Sequence, residues 1–118
     1  MTRTVGRTLV AVAALTLLVG TVPRLASAQV TDDNVVQQLQ SAKTAADHQA
    51  LADYFNAKAT AAAASAAKHE QMAGVSQRGS NDVWRQHCGD LVKTFRKQES
   101  DYKALAKQQQ QLAKAGSH

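Results

Sequence analysis

Two long stretches of the chain carry a row of residues spaced in alternating steps of four and three, the spacing of a helix seam. In the first, His48, Ala52, Phe55, Ala59, Ala62, Ala66, His69 and Ala73 form the row, flanked by Leu51 and Met72. In the second, Trp84, Cys88, Leu91, Phe95, Gln98, Tyr102, Leu105, Gln109 and Leu112 do the same. One row is mostly alanine and the other mostly bulky, so the pattern predicts two helices at close separation, the small side chains receiving the large ones. Gly74 to Asn81 is a short polar connection of the kind that joins antiparallel helices. A hairpin turning near Gln77 to Gly79 pairs positions whose numbers add to about 157, which sets His69 opposite Cys88 and His48 opposite Gln109.

The limits of these helices are marked by residues that cap or stop them. Thr44 with Asp47 three positions on is a capping box, which predicts a short helix before Lys43 and a long one from Ala45 to Ala73. One unbroken helix across this point is the competing reading. Thr31, followed by Asp32 and Asp33, marks the start of the short helix, with carboxylates at the positive end of its dipole. Asn81 is placed to cap the last helix, Asp82 sits in its first turn, and Gly116 follows its expected end at Ala115. Proline is absent after Pro23, and Ala, Gln, Lys and Leu, all good helix formers, dominate. The expected fold class is all-α: an antiparallel helical hairpin over 44–115 with a short preceding helix in 29–43. Such a hairpin buries one stripe per helix and commonly completes its core by dimerising into a four-helix bundle.

The first 28 residues have a different character. Arg3 and Arg7 precede an apolar run from Leu9 to Val22, and Ala26-Ser27-Ala28 is a small-residue cleavage signature. Met1 to Ala28 therefore read as a cleavable signal peptide, with the product exported to a periplasm or secreted. Thr16, Gly20 and Thr21 interrupt the run before Pro23, so it falls short of a membrane span, and none is expected after cleavage. Cleavage also changes the charge. The chain has 14 Lys and Arg against nine Asp and Glu, and losing Arg3, Arg7 and Arg24 leaves eleven against nine. The remaining basic residues are scattered among acids and glutamines, which argues against nucleic acid as a partner.

The motifs Asp47-His48-x-x-Leu51-Ala52-x-Tyr54-Phe55, His69-x-x-Met72-Ala73, His87-Cys88-x-x-Leu91 and Tyr102-x-x-Leu105-Ala106 cover most of the chain from Thr44 to Ala113. In them the chain resembles a group of small exported bacterial helical proteins of uncharacterised function. That group commonly has a histidine near the position of Gln109, and this chain departs from it there. The resemblance implies the hairpin and supplies no activity.

His69, Met72, His87 and Cys88 are the candidate chemistry. His69 and Met72 share a helix face, and the hairpin brings that face toward the start of the last helix. Imidazole, thioether and thiolate are soft donors suited to copper(I), and imidazole with thiolate also suits zinc. His87 and Cys88, being adjacent, point roughly 100° apart on an ideal helix, so both join one site only where the helix start allows it. The plainer reading is that His48 and His69 are hydrogen-bonded seam residues, Met72 is core filling and Cys88 is a small buried hydrophobe. As the lone cysteine of an exported chain, Cys88 also admits a bridge to a partner. A thiol enzyme built on Cys88 and His69 lacks an orienting group, oxyanion donors and a pocket, so no catalytic residue is assigned. The leading expectation is a non-catalytic interaction or structural protein, a homodimer or a partner of another protein through its helix faces. Val92, Trp84 and Tyr54 stand beside the seams as candidates for that contact, and copper or zinc binding is the alternative.

Overall fold

The computed structural model describes residues 29–75 and 82–116. It holds three helices, α1 (Val35–Ser41), α2 (Ala45–Val75) and α3 (Asp82–Ala115), with α2 and α3 packed against each other along their length as an antiparallel hairpin. α1 lies against α2. The expected signal peptide and the hairpin turn, with the Asn81 cap, fall outside the described residues.

The break between α1 and α2 follows from the capping box. The Asp47 amide donates to Thr44 Oγ1 at 3.1 Å, while Asp47 Oδ2 accepts from the amides of Thr44 at 2.9 Å and Lys43 at 3.1 Å. These reciprocal bonds satisfy amides that no helical carbonyl reaches, so α2 starts afresh at Ala45 and α1 does not run into it. Accepting from two amides and the Thr44 hydroxyl holds the Asp47 carboxyl below the usual carboxylate range. At the other end α3 stops at Ala115, where the Gly116 amide closes on the Leu112 carbonyl at 3.0 Å. α2 runs two residues past its expected end, through Gly74 to Val75. A lone glycine costs a helix about 1 kcal/mol and does not by itself stop one.

The start of α1 differs from expectation. Thr31 does not cap it; instead its amide donates to Asn34 Oδ1 at 2.8 Å, and its carbonyl accepts from Asn34 and Val35, so a turn precedes a helix that begins at Val35. Asp32 does not serve the α1 dipole either, for its carboxylate is spent on α2.

The seam of α2 is as expected, with Leu51, Ala52, Phe55, Ala59, Ala62 and Ala66 buried. The seam of α3 is not. Its fully buried residues are Cys88, Ala106, Gln109 and Ala113, with Val92, Phe95, Glu99 and Tyr102 half-buried on the same row, whereas Leu105 and Leu112 stand 39% and 43% exposed. The row through Cys88 and Gln109 is shared by both readings, but its companion is 92, 99, 106, 113 and not 91, 98, 105, 112. Helices that meet through alanines approach closely, and at that distance the space beside Phe55 is filled by Ala106. A leucine at that point would overfill it. The consequence is an inverted distribution: among the described residues six of the nine buried apolar ones are alanine, while Trp84, Leu105 and Leu112 lie at the surface.

Candidate functional site

Of the two polar pairs expected across the seam, one is found as expected. His48 Nδ1 and Gln109 Oε1 are 2.8 Å apart, with Gln109 buried to 7% exposure. An amide oxygen only accepts, so His48 Nδ1 carries the proton and donates. The neighbouring Phe55 and Tyr102 rings stack at 6.4 Å between centroids.

At the other end the partners differ. The His69 ring lies 5.2 Å from that of Phe95, two helical turns beyond Cys88, and His69 Nδ1 donates to the Ser65 carbonyl of its own helix at 2.8 Å. Cys88 is a free thiol buried to 1% exposure, Met72 is half-buried, and His87 points to solvent from the first turns of α3. The four proposed soft donors are thus in four different settings. Among the described residues no group of three or more His, Cys, Asp or Glu side chains is placed to hold a metal ion. Glu70 beside His69 turns to Arg96 of α3 at 3.1 Å, and Arg96 also bonds Glu99 at 3.1 Å. Lys103, bonded to Glu99 at 2.6 Å, and Arg96 together hold the Glu99 carboxyl below its ordinary range.

A cluster that sequence reasoning missed joins the N-terminal segment to α2. Asp32 accepts from the Tyr54 hydroxyl at 2.6 Å and from Lys58 Nζ at 2.7 Å, and Lys58 also lies 5.6 Å from the Tyr54 ring centre. Tyr54 clasps this segment, and Val30, Val35 and Ala42 settle against Leu51, Phe55 and Ala106. The Lys58 ammonium first and the Tyr54 hydroxyl second keep the Asp32 carboxyl below the usual carboxylate range. Partial burial first, then the bond to Asp32, pushes the Tyr54 phenol up, and Lys58 is raised by the same carboxylate. No local pattern marks this contact, because its partners lie 22 and 26 residues apart.

The sign of its pH dependence follows. A depressed carboxyl contributes stability above its unfolded pKa and loses it as pH falls through the folded one, so the clasp weakens on the acid side, from roughly pH 4 downward. The raised Lys58 and Tyr54 contribute below their unfolded values, and that part goes as pH rises past about 10. Asp47 and Glu99 are depressed too, so the wild-type acid decline is a composite. Urea midpoints taken across the acid range are expected to fall less steeply for Asp32→Asn than for wild type. Equal slopes would show that the clasp adds nothing in solution.

No known family, curated protein or solved structure matches the chain. Among the described residues no helix is long and apolar enough to cross a membrane.

Proposed function

We propose that this chain is an exported, non-catalytic interaction protein that works as a homodimer through its helix faces. The observation that carries the reading is the inverted distribution of apolar side chains, with alanine in the seam and Trp84, Leu105 and Leu112 outside it. A chain of this size has little core to spare, and a tryptophan and two leucines left at the surface of α3 are the mark of a surface meant to be covered, as are Val36 and Leu39 on α1. Export rests on the leader Met1 to Ala28, and the absence of a catalytic assignment rests on the lack of any nucleophile joined to a base among the contacts above. The soft-metal alternative through His69, Met72, His87 and Cys88 gains no support from the contacts these residues make.

Protein expressed from the full-length reading frame, and purified as the cell processes it, should sediment as a dimer with and without reductant. Reductant is expected to be without effect because Cys88 is buried to 1% exposure and is not available to bridge two chains. A strict monomer at high concentration overturns the proposal.

A further inference from the structure

The α3 residues Trp84, Leu91, Gln98, Leu105 and Leu112 recur at intervals of seven, and so form one stripe about 42 Å long down the helix. Leu91 is half-buried and the other four are exposed. On a helical wheel the stripe lies roughly 80° round from the middle of the face that α3 turns to α2, the angle at which a helix in a four-helix bundle meets its second neighbour. Alongside it run His87, Thr94, Asp101 and Gln108, so this flank of α3 carries a single acid, already paired with Lys97 at 2.7 Å. The opposite flank is different in kind, with Lys93, Arg96, Lys103, Lys107 and Lys114. An uncharged, mostly apolar stripe, with the basic residues kept to the opposite flank, is built for packing and not for solvent.

The stripe is also self-complementary. Folded back on a second copy about Gln98, it sets Trp84 against Leu112 and Leu91 against Leu105, and leaves Gln98 facing its own counterpart, where two side-chain amides donate and accept in turn. The bordering residues then meet as His87 with Gln108 and Thr94 with Asp101, pairs that hydrogen-bond without opposing like charges. A parallel pairing would place Asp101 beside Asp101 and tryptophan beside tryptophan, losing both advantages. A twofold arrangement of this kind closes on itself, which a heterologous contact does not.

We infer that a second copy of this chain docks antiparallel on the α3 stripe from Trp84 to Leu112, centred on Gln98. This rests on the dimer reading above and adds to it the surface and the direction of pairing. Leu105 and Leu112 are exposed in the single chain, so Leu105→Lys with Leu112→Lys should leave its helicity nearly unchanged, while the urea midpoint falls only by the share that dimerisation contributes. In the dimer the same change places lysines opposite Leu91 and Trp84, and association should be weakened at least about 100-fold by sedimentation. Ser100→Lys, on the basic side, should leave the dimer intact.

Direction is read separately, by nitroxide labels on Gln111→Cys in a Cys88→Ala background. Antiparallel pairing about Gln98 separates the two labels by about 39 Å, whereas a parallel pair brings them within about 20 Å. A dimer that survives the double lysine variant overturns the stripe while leaving dimerisation standing. A short label distance overturns the antiparallel pairing, and a monomeric wild type removes both this inference and the function it extends.

Discussion

Phe55→Ala should unfold most of the molecule's stability at a stroke. Phe55 is the largest buried side chain in a seam made mostly of alanines, and it packs with Leu51, Ala106, Tyr54 and Tyr102 while stacking on Tyr102 at 6.4 Å. Truncating a buried phenylalanine costs about 3–5 kcal/mol. A folded unit of about 80 residues has roughly 4–12 kcal/mol in all, and one with so thin a core belongs toward the lower end. Urea denaturation followed by helical circular dichroism is expected to show the midpoint collapsing toward zero denaturant. A loss under about 1 kcal/mol would mean that the cluster around Phe55 is not the centre of the fold.

The second large effect concerns the His48–Gln109 bond. Gln109→Ala removes the acceptor and leaves a half-buried imidazole proton unmatched, at a cost of about 1–3 kcal/mol. Replacing both partners, His48→Leu with Gln109→Leu, should recover that loss, because no polar group is then stranded. What the pair provides is register. An alanine seam repeats every seven residues and tolerates a slip of one repeat, whereas the polar pair is satisfied in one alignment only. The double variant is therefore expected to match wild-type stability while forming mixed alignments, seen as doubled amide resonances near Phe55. A double variant as unstable as Gln109→Ala alone would show that the cost lies in lost volume and not in the stranded donor.

Much of the architecture could be read from the residues, and the reasons are local. The break before Ala45 follows from a hydroxyl and a carboxylate three positions apart, the stop at Ala115 from Gly116, and the pairing of His48 with Gln109 from seam position and a short connection. What could not be read was the face that α3 turns inward. Leu105 and Ala106 are neighbours on adjacent rows, and hydrophobicity ranks the leucine first. Close packing against the alanines of α2 ranks them the other way, and that depends on the separation of two helices, which no single segment encodes. The candidate site also departed from expectation: His69 was expected over Cys88 and rests on Phe95 two turns along. The Asp32 clasp left no trace in spacing at all, since it joins an irregular segment to a helix surface.

The burial of Cys88 has a practical meaning for following this molecule in solution. Each chain has one thiol, exposed by only 1% and set on α3 close to where the hairpin turns. A thiol reagent added in excess reacts only when α3 lifts from α2, so the labelling rate divided by that of an open peptide thiol gives the fraction of time this end of the hairpin stands apart. Phe55 and Tyr102 lie toward the opposite end, and amide exchange there reports its opening independently. The two clocks together tell whether the hairpin separates from its turn end, from its free ends or all at once.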